Sequence, residues 1–186
     1  MNEQGFEIVP PGKLARVLPI VMAVLPPILV LAAVALGARG RHQAVPMAQI
    51  ATALLLFPMI GGAFAWSMHR RVIQVIGGKL VLGLLPWRRI PVALLDLDNA
   101  RIVDLGAQRD LQPVLKIAGS GLPGYRSGLF WLRNKARAQI LLTDWKRVLV
   151  LPRRDAGMVL LSPKRPDALL AALRQAAAGD SARGRG

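Results

Sequence analysis

AQILLTDWKRVLVLP, residues 138–152, sets two aliphatic runs on either side of a polar step. Ala138–Thr143 and Arg147–Leu151 are short and rich in Ile, Val and Leu, which suit a pleated sheet, and Asp144 between them favours a turn. The same pattern recurs on both sides. Toward the N-terminus stand Leu129–Leu132, Val114–Ala118, Ala100–Leu105 and Ile90–Leu95, and toward the C-terminus stands Met158–Leu161. Val72–Ile76 and Lys79–Leu85, joined by Gly77 and Gly78 and ended by Pro86 and Trp87, read as a hairpin. Short strands at this spacing, punctuated by Gly, Pro, Asn and Asp, predict an all-β antiparallel sandwich or barrel. After the last strand the period becomes helical. Leu169, Leu170 and Leu173 share a face with Arg174 and Gln175 off it, Pro166 suits a first helical turn, and Asp167 suits its positive end. Residues 179–186 carry no apolar pattern and predict a flexible tail.

Upstream of the strands the composition changes. The 186-residue chain is 53% hydrophobic yet carries a formal net charge of +15, a combination that implies apolar blocks kept apart from charged ones. No charged side chain occurs from Val17 to Ala38 or from Gln43 to Met68. A helix crosses a bilayer core with about 20 apolar residues, so residues 17–37 and 47–68 predict two transmembrane helices joined by a short outer loop, 38–46. Residues 1–16 are then an N-terminal tail, and 69–178 the β domain. Trp66 stands where an interfacial anchor belongs. Pro19, Pro26, Pro27 and Pro58 predict kinks, which membrane helices tolerate when neighbours satisfy the freed carbonyls, and Gly61 and Gly62 offer a close helix approach. A cleaved signal peptide fits less well, because the apolar run is long and its leader contains Glu3 and Glu7. Lys13 and Arg16 before the first helix, and Arg70, Arg71, Lys79, Arg88 and Arg89 after the second, outnumber Arg39 and Arg41 in the loop. The positive-inside bias therefore puts both termini and the β domain in the cytoplasm.

Catalytic chemistry finds little to work with. There is no cysteine, which excludes disulfides, thiolate metal sites and thiol nucleophiles. His42 and His69 flank opposite ends of one apolar block, so no histidine metal cluster is expected, and no cofactor is expected either. Gly119, Gly121 and Gly124 imitate a dinucleotide fingerprint but run on into an apparent strand, where that motif needs a helix. Asp96, Asp98 and Asp104 read as turn acids around Asn99, and Ser120, Ser127 and Ser162 have no histidine partner in the domain.

Three segments carry a likeness: GLPGYRSGLF at 121–130, AQILLTDWKRVLVLP at 138–152 and MVLLSPKRPDALLAAL at 158–173. A glycine-rich turn before a strand, a Leu-Thr-Asp hairpin and a Ser-Pro element leading into a terminal helix together resemble the bacterial pleckstrin-homology-like domains of small membrane proteins. The resemblance implies a strongly bent seven-stranded sandwich with one end plugged by the helix, through Leu169, Leu170 and Leu173. It also implies a non-enzymatic binding module in the bacterial cytoplasmic membrane. Arg165 stands where an acidic helix cap often sits in that pattern, so a shifted helix start is expected.

Basic residues then mark the candidate contacts. Arg70, Arg71, Lys79, Arg88 and Arg89 lie near the bilayer surface, where anionic headgroups attract each cation by about 1 kcal/mol. Part of that group is also explained as topology signal alone. Arg126, Arg133, Lys135 and Arg137, with Lys146 and Arg147, surround the glycine loop and the Asp144 turn, interleaved with Tyr125, Phe130, Trp131 and Trp145. Anionic headgroups or an acidic protein surface are the expected partners. Nucleic acid is disfavoured by the tether and by the core's own need for Phe130 or Trp131. The rival expectation is an accessory subunit of a larger transport or envelope-enzyme complex, docked through the helical hairpin.

Overall fold

A computed structural model describes residues 4–37, 47–69, 73–83 and 88–183. The chain forms two compact units, one from Lys13–Arg70 and one that joins Met1–Gly12 to Arg71–Gly186.

The first unit is a helix pair, α1 (Lys13–Gly37) and α2 (Met47–His69). Among the described residues one helical stretch, Lys13–Leu36, is long and apolar enough to cross a membrane, and a shorter apolar stretch covers Ile50–Ala63. The prolines lie within both helices. Gly61 is the point of contact: a Cβ there would stand 2.5 Å from the Ala23 Cβ and 2.9 Å from the Pro19 carbonyl oxygen, so only glycine admits this approach. Gly62 has nothing nearby. The loop 38–46 lies outside the described residues.

The second unit is the β domain. Its smaller sheet runs β1 (Gln4–Phe6), β2 (Ile73–Ile76), β3 (Lys79–Leu82), β4 (Arg88–Pro91) in that order, all antiparallel. The larger sheet contains β5 (Arg101–Val103), β6 (Pro113–Leu122), β7 (Tyr125–Leu132), β8 (Arg137–Leu142), β9 (Val148–Pro152) and β10 (Gly157–Leu161), ordered β5-β9-β10-β8-β7-β6. Every run read as a strand overlaps one, but in Ile90–Leu95 only the first two residues are strand and Val92–Leu94 form a 3-10 turn. Three further expectations change. The described residues form ten strands, where about seven were expected, and one of them comes from the supposed tail, which pairs with β2 in the register Gln4↔Val75, Gly5↔Gln74, Phe6↔Ile73. One pair, β8 with β10, is parallel, because β10 inserts between β8 and the strand that follows it. The closing helix α3 runs Pro166–Arg183, so the tail expected from residue 179 is largely helical, as the good helix formers Ala176, Ala177 and Ala178 carry it past Gly179. Its start does not shift: Pro166 is the first helical residue, and the Leu169 amide donates to the Arg165 carbonyl.

The middle of the larger sheet is buried on both faces. By alternation, Ile140, Leu142, Val148, Val150 and Leu160 face one core with Phe130 and Leu132, while Leu141, Leu149, Leu151, Val159 and Leu161 point the other way and are equally buried. Double burial is why these strands read as continuous aliphatic runs and not as alternating ones. Leu169 and Leu173 of α3 are fully buried with Ala172, Leu170 is half-buried, and the helix packs on β2 and the 3-10 turn Val92–Leu94.

Candidate functional site: a cationic cleft on the edge hairpin

The edge hairpin β6–β7 is bent by two glycines that face each other across the ladder. Gly119 (φ 125°) and Gly128 (φ 119°) are register partners in a conformation that side chains avoid. A Cβ would come within 2.0 Å of the Ser127 carbonyl oxygen at Gly119 and within 2.1 Å of the Ala118 carbonyl oxygen at Gly128. Register shifts between Pro113 and Leu115 and between Lys116 and Ala118 add further irregularity to β6. The hairpin tip is Pro123–Gly124, with Gly124 at φ 74° as a Pro-Gly turn requires.

The Leu-Thr-Asp and Ser-Pro motifs meet beside this hairpin. The Thr143 amide donates to Ser162 Oγ at 2.8 Å, and the two hydroxyls lie 3.0 Å apart, all buried. This joins the ends of the parallel strands β8 and β10 where the ladder runs out. Asp144 Oδ1 then accepts from the Trp145 amide at 2.7 Å and the Lys146 amide at 3.3 Å, which shapes the turn and sets the Trp145 ring. The Arg126 guanidinium lies 5.1 Å from that ring's centre and donates to the Pro113 carbonyl at 2.7 Å. Buried Tyr125 donates to Ser127 Oγ at 2.6 Å and closes the floor.

The result is a cleft of about 580 Å³ whose lining includes Val114, Lys116, Tyr125, Arg126, Phe130 and Trp145. Lys116 and Arg126 are its only charged lining residues, and neither takes part in the three ion pairs found among the described residues, Arg147–Asp167, Arg153–Asp155 and Lys164–Glu7. Arg126 spends one donor on Pro113, which leaves the remainder of its fork for a ligand. An anion with an apolar neighbour fits this lining.

The profile of the bacterial PH domain family matches residues 83–177, just over half of the chain. The chain belongs to that family. No curated protein and no solved structure gives a match. The matched part of this PH-domain protein contains, among the described residues, seven strands, β4 to β10. Domains of this kind are generally non-catalytic binding modules.

The basic residues singled out in the sequence separate in space. Arg126 joins the cleft, with Lys116 as the partner that sequence reasoning missed. Arg133 and Lys135 occupy the turn after β7, and Arg137 stacks its guanidinium 4.8 Å from the Trp131 ring, near the C-terminal end of that strand. Lys79, Arg88 and Arg89 are exposed on β3 and β4 of the smaller sheet. Arg70 and Arg71 lie outside the described residues, as does the Trp66 side chain. The signal for Lys116 was a lone cation inside the aliphatic run VLKIA.

The acids occupy local roles. Asn99 Nδ2 donates to Asp96 Oδ2 at 2.6 Å, and this bond holds the Asp96 carboxyl below its ordinary range. Asp104 accepts from the Gly106 amide at 2.7 Å. Among the described residues no group of three or more metal-ligating side chains converges.

Proposed function

We propose that this PH-domain protein is a non-enzymatic module anchored by a two-helix hairpin, which presents its basic domain at the cytoplasmic membrane face to anionic headgroups or an acidic protein surface. The observation that carries the anchoring is the composition of the β unit. Residues 4–9 precede α1 and residues 73–164 follow α2, yet they are hydrogen-bonded together. β1 pairs with β2, the Val9 amide donates to the Ser162 carbonyl at 3.1 Å, and the Lys164 amide donates to the Glu7 carbonyl at 2.8 Å. Segments so joined lie on one side of a membrane. If α1 crosses, the chain must cross back before residue 73, and α2 is the helix available to do it.

The exposed surface agrees. Large apolar side chains are exposed from Leu14 to Leu36 on α1 and, on α2, at Met47 and from Leu54 to Ile60, a pattern that lipid rewards and water penalises. Arg39 and Arg41 alone in the loop, against the larger basic group flanking the hairpin, support a cytoplasmic domain. The full-length chain is expected to stay in the membrane pellet after alkaline carbonate washing; release into the supernatant overturns the anchoring. A photocrosslinker at Lys116 in native membranes is expected to capture an anionic lipid or an acidic protein, and capture of neither overturns the binding role.

Gly62, with nothing near it beside the tight Gly61 contact, favours a second reading in which the hairpin docks into a larger complex. Purification in mild detergent that yields only a lone monomer ends that reading.

A further inference from the structure

A second cavity, of about 500 Å³, opens between α3, the segment Val92–Asp98 and the turn after β9. Its charged lining is balanced, with Asp98 and Asp180 on one side of the ledger of sign and Arg154 and Arg174 on the other. None of these four takes part in the ion pairs found among the described residues, although both signs line the same space.

Backbone hydrogen bonds fix the walls. The Asp96 amide donates to the Pro152 carbonyl at 2.8 Å and the Arg154 amide to the Leu94 carbonyl at 2.9 Å, so the segment and the β9–β10 turn are laced together. Asp96 spends its carboxylate on Asn99, accepting from the amide at 3.3 Å and from Nδ2 at 2.6 Å, which sets the bend that carries Asp98. On α3, Arg174, Ala177 and Asp180 recur every three residues along the side that lines the cavity, which separates the cation from the anion by about 9 Å along the axis. The Arg174 guanidinium donates to the Leu97 carbonyl at 3.4 Å and ties the helix to the segment. Buried Val92 and Leu95 supply an apolar floor.

Local neutrality sets this cavity apart in a chain with 25 basic residues against 10 acidic ones. An ion of one sign meets repulsion there as well as attraction, whereas a ligand that carries both signs gains from all four groups. The floor suits a short carbon linker between its charges.

We infer that this cavity binds a compact zwitterion, an ammonium joined by a short carbon linker to a phosphate or carboxylate. Arg154 and Arg174 take the anion, for which their guanidinium forks are suited, and Asp98 and Asp180 take the ammonium. An aminoalkyl phosphate headgroup and a free amino acid are the two sources of that chemistry. The site is separate from the cationic cleft and does not depend on the membrane anchoring.

The test is calorimetric titration of the full chain in a maltoside detergent, whose headgroup is uncharged. Phosphoethanolamine and β-alanine are the zwitterions, and inorganic phosphate and ethylamine present the two halves separately. At least one zwitterion is expected to saturate a single site with a Kd of about 1 mM or tighter, and each half to bind at least about tenfold more weakly. Arg174→Gln and Asp180→Asn, both at exposed positions, are each expected to weaken the zwitterion about fivefold or more with the unfolding midpoint unchanged, and Arg126→Gln in the cationic cleft to leave its binding unaltered. Tighter phosphoethanolamine marks the headgroup as the source, and tighter or equal β-alanine marks the amino acid. Absence of saturable heat from both zwitterions overturns the inference. Inorganic phosphate that binds as tightly as either zwitterion overturns the part given to Asp98 and Asp180. Weakening by Arg126→Gln in place of the α3 variants moves the ligand to the other cleft and overturns this site.

Discussion

β9 and β6 belong to one sheet and use one aliphatic alphabet, VLVLP in the first and PVLKIAGSGL in the second. β9 lies between β5 and β10 and is buried from Val148 to Leu151, whereas β6 is the free edge and exposes Val114, Leu115 and Ile117. The same residue types therefore do opposite work. In the centre they are removed from water and stabilise the fold, and at the edge they remain exposed. Position in the sheet decides which, since only a central strand has neighbours on both sides and cover on both faces.

The largest expected effect tests this contrast directly. Leu160→Ala, in the central strand β10, is expected to cost about 2–5 kcal/mol, and Leu115→Ala within about 0.5 kcal/mol, measured by denaturant unfolding of the detergent-solubilised chain with tryptophan fluorescence. Equal losses would break the contrast. Next comes the bend that makes the edge irregular. Gly128→Ala, which forces a methyl against the Ala118 carbonyl, is expected to cost about 1–3 kcal/mol, while Gly121→Ala, whose nearest neighbour is Phe130 at 3.9 Å, leaves the midpoint almost unchanged.

A smaller loss is expected where the centre meets the motif turn. Ser162→Ala leaves the buried Thr143 amide without its acceptor, at about 1–2 kcal/mol in the same unfolding experiment, and loosens the loop that carries Trp145. The smallest effect concerns the leader, which adds β1 to the smaller sheet and so covers the edge of β2, whereas β6 has β7 alone as a neighbour. The Lys164 ammonium, through a hydrogen bond and its charge, holds the Glu7 carboxyl below its ordinary 4.5. A lowered folded value means the pair's contribution is present above pH 4.5 and is lost as pH falls through the folded value. Faster hydrogen exchange in residues 4–9 on acidification through that window is expected, and Glu7→Gln abolishes the pH dependence; the pair is solvent-exposed, so global stability moves little.

Most of the β domain was legible because strand grammar is local. Every run from Val72 to Leu161 except Ile90–Leu95, most of which is a 3-10 turn, held its strand, and Pro166 with Leu169 and Leu173 gave the helix and its buried face. The leader was not legible. QGF has no strand run, and it pairs only because β2, about seventy residues on, offers an open edge. Half of the cleft was legible in the same sense. Arg126 and Trp145 were marked by charge and aromaticity, but nothing local brings residue 126 over residue 145, and Lys116 looked like one cation in a core strand. Arg126 stands at the start of β7 and Arg133, Lys135 and Arg137 beyond its end, and a string of cations along the chain does not say which of them share a site.

What the sequence alone determined is everything carried by composition and period: the two uncharged apolar blocks, the succession of strands, the terminal helix and the motifs that resemble a family. These follow from interactions between residues close along the chain. What only the tertiary structure decided is sheet order, and with it the strand left at the edge, the leader drawn into the smaller sheet and the meeting of Lys116, Arg126 and Trp145. Those outcomes depend on backbone hydrogen bonds between distant segments, and the free energy of such bonds is set by which edges remain open when the rest of the sheet has formed.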